Sequence, residues 1–172
     1  ASWPDIGLGQ FIGVDISETA IRYANAVGLH ANGIAVDLEN EKLSARNAAI
    51  VKPANVLLST GAIGYVTDRT YQQLLDAVET TPWIISFVLR MFPYDDFVDA
   101  FDERGMVTEK LAGSTFVQRR FRDEQEFERS LHTLRCRGID TSGFEADGLF
   151  QAELFVTRPK SDAEAMPLTN IV

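Results

Sequence analysis

Between Phe11 and Gly105 the sequence alternates four times between a strand-length apolar run and a stretch of helical composition. Phe11–Asp15, Gly33–Leu38, Asn55–Ser59 and Trp83–Leu89 read as the strands. Repeated strand–helix alternation points to a mostly parallel sheet, and Asn55–Ser59, continuous in its apolar character, is expected to be covered on both faces. Ser17 reads as the N-cap of the first helix, with Glu18 in the turn where the helix dipole favours an acid. Ala20, Ile21, Ala24 and Val27 then recur at helical spacing, and Gly28 is placed to stop the helix. Glu39–Val51 is expected to be helical up to Pro53. A third helix starts at Thr67 or Asp68 and turns Tyr71, Leu74, Leu75 and Val78 inward. A fourth carries Phe97, Val98 and Phe101 and ends at Gly105.

Beyond Gly105 the rhythm changes. Met106–Leu111 and Thr115–Phe121 read as two strands or one long bent strand. Asp123–Arg135 reads as a helix and Leu149–Val156 as a final strand. Short connections make these strands antiparallel. Residues 159–172 form a polar tail, expected to be loosely held. The expected architecture is one α/β domain spanning 1–172, a three-layer sandwich whose mostly parallel sheet ends in antiparallel strands.

Charge narrows the partners. Lys and Arg number 16 against 25 Asp and Glu, a formal net charge of -9, which repels phosphate backbones and argues against nucleic acid. One cysteine, Cys136, and two histidines, His30 and His132, supply neither a disulfide nor a Cys/His metal centre, and fit a reducing, cytoplasmic setting. No apolar run approaches the ~18–20 residues of a membrane helix, and no leader peptide is evident. The sequence opens at Ala1 rather than Met, so an upstream segment is expected.

Asp15 ends the first strand directly before a capped helix. Open α/β sheets bind ligands beyond the carboxyl ends of their strands, where a carboxylate can accept both hydroxyls of a ribose. The alternative is that Asp15 caps its own loop. Asp37 repeats the arrangement after the second strand. Together the two acids suit a nucleoside, one on the ribose and one on an exocyclic amine, with Ile16 and Leu38 flanking the base. Paired carboxylates also serve divalent cations, although strand-end acids specify none and no metal is expected. The Ser59-Thr60-Gly61-Ala62-Ile63-Gly64-Tyr65 loop lets backbone approach a ligand, or is an ordinary turn. Arg90, Phe92, Pro93 and Tyr94 either line a substrate pocket or close the core.

Other chemistry is poorly served. Ser59 and Ser86 lack a nucleophile elbow and a positioned histidine. Gly7-Leu8-Gly9 lacks the third glycine and following helix of a dinucleotide loop. His132, Cys136 and the Arg119, Arg120 and Arg122 cluster read as surface or core residues.

The string Phe11-Ile-Gly-Val-Asp-Ile-Ser-Glu-Thr-Ala-Ile-Arg-Tyr-Ala resembles the second strand and following helix of class I S-adenosylmethionine-dependent methyltransferases. The Gly33–Asp37 strand, the Ser59-Thr60-Gly61 loop and the antiparallel ending follow the order of elements in that Rossmann-like family. The resemblance covers most of residues 11–157. It implies that Asp15 holds the ribose of S-adenosylmethionine and Ile16 one adenine face. It implies that Asp37 and Leu38 hold the adenine edge, and that Ser59, Thr60 and Gly61 lie near the methionine end. No catalytic side chain is implied, and Tyr65, Arg90 and Tyr94 are the pocket-lining candidates for a small-molecule acceptor.

One departure concerns the N-terminus. The family places a strand, a glycine-rich loop and a helix before the position of Phe11, whereas ten residues precede it here, too few at normal rises per residue. Asp5–Gly9 mimics only the loop. The expectation is a longer parent chain whose first cofactor motif lies outside this sequence. A non-catalytic scaffold of the same fold and a nucleotide-dependent oxidoreductase remain the competing classes, and an unfinished sheet edge invites a homodimer.

Overall fold

The computed structural model describes residues 9–171, so Asp5–Leu8 of the glycine-loop mimic lie outside the described residues. The chain divides into two compact units. One holds the residues up to Asn55 together with Arg69–Thr80, and the other holds Val56–Asp68 and the residues from Thr81 onward.

In the first unit, β1 (Ile12–Asp15) pairs in parallel with β2 (Asn32–Ala35), Asp15 standing opposite Ala35. Between them runs α1 (Glu18–Ala26), whose Ser17 hydroxyl accepts the Ala20 amide at 3.2 Å, the expected N-cap. Gly28 follows at φ 72, a left-handed stop that a side chain would strain. Ile21 is the one buried residue of α1.

Two strand glycines here make room for a histidine. A Cβ added at Gly13 would lie 2.4 Å from His30 Nε2, and one at Gly33 would lie 2.7 Å from His30 Cε1. Gly13→Ala should therefore destabilise the protein by about 1–3 kcal/mol through overpacking. In urea titrations, adding His30→Ala should recover part of that loss; equal losses in the single and double variants would refute the steric account.

The second strand is shorter than the sequence suggests, and so is the helix after it. The ladder ends at Ala35, and Asp37 turns the chain instead. Its Oδ1 accepts the Glu39 and Asn40 amides at 3.1 and 3.3 Å, and its Oδ2 accepts Asn40 Nδ2 at 2.8 Å. This side-chain turn competes with the helix. Gln73 of α3 (Asp68–Ala77) then ties down the segment beyond it. Gln73 Nε2 donates to the Leu38 and Glu41 carbonyls, and its Oε1 accepts the Leu43 amide at 2.7 Å. Consequently α2 covers only Ala45–Val51, capped by Ser44.

In the second unit, β3 (Val56–Thr60) is parallel to β4 (Trp83–Leu89). The long β7 (Leu149–Pro159) is antiparallel to β4 on one side, and to β5 (Met106–Lys110) and β6 (Phe116–Arg120) on the other. Strands β5 and β6 run in the same direction along β7, so the stretch is one bent strand broken at residues 111–115. The parallel pairs thus precede an antiparallel ending, as the α/β reading requires, but β1–β2 and β3–β4 lie in separate sheets.

Alternate residues of β4 are fully buried and the rest half-buried, whereas β3, the strand expected to be covered on both faces, leaves Val56 and Leu58 exposed at 48% and 58%, so only its other face packs inward. Helix α4 (Asp95–Asp102) buries Phe97, Ala100 and Phe101, and α5 (Glu124–Cys136) buries Ser130, Leu131 and Leu134. The tail differs from expectation. α6 (Lys160–Ala165) follows β7 directly, Trp83 Nε1 donates to Asp162 Oδ2 at 2.7 Å, and Leu168 packs with Leu154 and Val156. A hydrogen-bonded indole and a buried leucine hold what composition alone describes as a polar tail.

Candidate functional site

The sequence-predicted site residues fall in both units. In the first, Asp15 ends β1 and is exposed. Its Oδ1 accepts the Ser17 amide at 2.7 Å, so it does act as a loop cap, the modest alternative. That bond occupies one lone pair of one oxygen, and an ionised carboxylate offers about four acceptor sites in all. Ile16, the next residue, is 69% exposed, an apolar surface beside a carboxylate.

Asp37 lies two residues beyond the end of β2 rather than at its tip, and both its oxygens serve the turn described above. The Asn40 carboxamide is the main reason its carboxyl is held below the usual aspartate range, with the Glu39 and Asn40 amides and the Arg69 charge acting in the same sense. The group is thus an anion at neutral pH, with Oδ2 shared between Asn40 and any further donor. Leu38 beside it is buried, so its side chain belongs to the packing of this unit.

In the second unit, Ser59 and Thr60 lie within β3 rather than in the loop. Ser59 Oγ donates to Ser86 Oγ at 3.2 Å, and Tyr94 donates to the same Ser86 oxygen at 3.0 Å. Tyr94 is core: its ring stacks on Phe97 at 5.0 Å and lies 4.5 Å from Phe155. Gly61 turns the chain out of β3 at φ 66, its amide donating to the Phe87 carbonyl at 3.0 Å. Tyr65 is 83% exposed.

Arg90 leaves the carboxyl end of β4, and its side chain is nearly buried. Nη1 meets Glu145 Oε2 at 2.8 Å, Nη2 donates to the Asp140 carbonyl at 2.8 Å, and the guanidinium lies 4.5 Å above the Phe144 ring. Burial pushes the Glu145 carboxyl above its ordinary range, opposed first by its own backbone amide and then by the Arg90 charge. Arg90 also borders a depression of about 440 Å³ with Lys110, Leu111, Ser114, Phe144 and Glu153, within the size range of small-molecule sites. Lys110 and Glu153 form an ion pair there at 2.7 Å.

Sequence reasoning did not single out Glu145, Phe144 or Lys110. No local spacing links them to Arg90; the bend at residues 111–115 and the turn before β7 bring them together. Among the described residues no group of three or more His, Cys, Asp or Glu side chains converges to hold a metal, and no helix is long and apolar enough to cross a membrane.

No protein-family model matches the chain, and no curated protein matches it. Solved structures similar to it include the plantazolicin methyltransferase BpumL in complex with SAH. That similarity has 17% identity over 91% of this chain and 69% of the other, with a TM-score of 0.46. BpumL bound to a pentazolic desmethylPZN analog and SAH gives 18% identity over 91% and 70%, with a TM-score of 0.48. The plantazolicin methyltransferase BamL with a triazolic desmethylPZN analog and SAH gives 14% over 88% and 68%, with a TM-score of 0.45. At this distance the similarity is one of chain trace, and the chemistry rests on the residues above.

Proposed function

We propose that the chain is an S-adenosylmethionine-dependent methyltransferase acting on a small-molecule acceptor in the cytoplasm. The observation that carries this reading is Asp15. It is an exposed carboxylate at the carboxyl end of a parallel strand, followed by an exposed Ile16 and a helix capped at Ser17. Those features fit a ribose diol on the acid and a purine face on the isoleucine.

In this reading Asp37 accepts from the adenine amine alongside Asn40, Leu38 backs that acid from within the core, and Ser59, Thr60 and Gly61 lie at the methionine end. The cofactor, when bound, supplies a methyl carbon on a sulfonium, open to in-line displacement. The protein's share is alignment and exclusion of water. Hence no catalytic side chain is named. The depression beside Arg90 is the acceptor site, with Tyr65 as a further exposed candidate. Its mixed lining, with the Lys110–Glu153 pair beside Leu111 and Phe144, suits a polar molecule carrying an apolar or aromatic part.

Calorimetric titration of S-adenosylmethionine tests the assignment. Asp15→Ala should weaken binding more than tenfold, the loss expected for charge-assisted hydrogen bonds to a diol. An unchanged affinity would remove Asp15 from the site. A folded wild-type chain that binds neither S-adenosylmethionine nor S-adenosylhomocysteine would favour the non-catalytic scaffold.

A further inference from the structure

Strand β6 carries a feature that pairing alone does not use. Val117 stands opposite Gln151 and Arg119 opposite Phe150, so Gln118 is the extra residue of a β-bulge. Bulges bend a strand and re-aim one side chain, and they concentrate beside functional sites. Here the bulged side chain is aimed at the turn that leaves β3. Gln118 Oε1 lies 3.8 Å from where a Cβ on Gly61 would stand, and beyond Gly61 and its two neighbours no other heavy atom of the described residues comes within 4 Å of that point. Gln118 is half-buried, and its carboxamide makes no hydrogen bond among the described residues.

The bulge is held firmly. The next residue, Arg119, grips Glu126 at the start of α5 with two bonds, Nη1 to Oε2 at 2.8 Å and Nη2 to Oε1 at 2.9 Å. The Arg122 amide adds a third bond to Oε2 at 2.7 Å. These bonds, that from Arg119 first, draw the Glu126 carboxyl down to about 2, so the clamp persists across the working pH range. The clamp therefore holds the backbone at the bulge, and with it a half-buried Gln118 whose unspent carboxamide lies beside a glycine at the carboxyl end of β3. One acceptor and two donors on a fixed plane match an ammonium and a carboxylate carried on one carbon.

We propose that Gln118 is a ligand-binding residue whose carboxamide hydrogen-bonds the amino-acid end of the S-adenosylmethionine molecule. This rests on the methyltransferase reading, because that reading puts the methionine end at Gly61.

The test compares two probes by calorimetry on the full chain. S-adenosylhomocysteine carries the amino-acid end, and 5′-methylthioadenosine is the same nucleoside thioether without it. Gln118→Ala should weaken S-adenosylhomocysteine about tenfold, the effect of one hydrogen bond to a charged group, and leave 5′-methylthioadenosine within twofold. Gln118→Glu keeps the length of the side chain but removes its donors, and should show the same selectivity. Unchanged S-adenosylhomocysteine binding in both variants would overturn the proposal. So would an equal loss for both probes, which marks a structural effect. If wild type binds neither probe, the methyltransferase reading itself fails, an outcome distinct from selective failure at Gln118.

Discussion

Arg90→Leu should lower stability by about 3–5 kcal/mol, the cost of leaving one partner of a buried ion pair uncompensated. The side chains of Arg90 and Glu145 are only 10% and 1% exposed, so solvent cannot take the place of the guanidinium. Glu145 Oε1 is already buried without a hydrogen-bond partner among the described residues, and Oε2 is the oxygen that Arg90 holds. The loss also reaches the 137–148 segment, because the Arg90 side chain donates to the Asp140 carbonyl and stacks on Phe144.

The pH dependence follows from the acid. Glu145 has a folded-state pKa raised above 4.5 by burial, so the folded state holds this proton more tightly than the unfolded one. Its contribution to stability is full below about 4.5 and is lost as pH rises through the folded value. Removing Arg90 removes the charge that opposes this shift, so the raised pKa should rise further. The gap between variant and wild type should then be larger at pH 7.5 than at pH 5. Urea titrations at both values measure it. A double variant, Arg90→Leu with Glu145→Leu, should recover most of the loss, since replacing both partners leaves no orphaned charge. A pH-independent gap would show that lost stacking on Phe144 dominates.

Gly64→Ala is expected to cost about 3 kcal/mol from two separable sources. Gly64 sits at φ 106, where a side chain strains the backbone by about 1–3 kcal/mol. A Cβ there would also lie 2.4 Å from Phe92 Cζ, with Cε2 and Cε1 at 2.6 and 2.8 Å, and forced overpacking costs about 1–3 kcal/mol more. A double-mutant cycle with Phe92→Leu separates the two. The leucine should relieve the clash but not the strain. Because Gly61 and Tyr65 share this loop, the alanine variant should also weaken S-adenosylmethionine binding under the proposed function. Stability within 0.5 kcal/mol of wild type would mean that the loop rearranges at little cost.

How much of this was legible depends on the range of the interactions. The N-cap Ser17, with its amide partner three residues on, and the stops Gly28 and Gly105 at φ 72 are local. They can be read from the string because both partners lie within one turn. Strand β4 is equally legible, since six of its seven residues are apolar. Asp15, in its place between strand and helix, was legible for the same reason.

Sequence alone misread the residues whose side chains compete with secondary structure. Asp37 reads as the end of a strand, yet its carboxylate folds the following turn, and Gln73 fastens Leu38, Glu41 and Leu43 from about 30 residues away. Tertiary structure alone decided that the last long strand, β7, stands inside its sheet, and that Arg90 meets Glu145, 55 positions on. It alone decided that Gln118 bulges out of β6 toward Gly61. A cap is an exchange between neighbours, whereas a ladder register or a buried ion pair forms only once distant segments have paid the entropy of meeting.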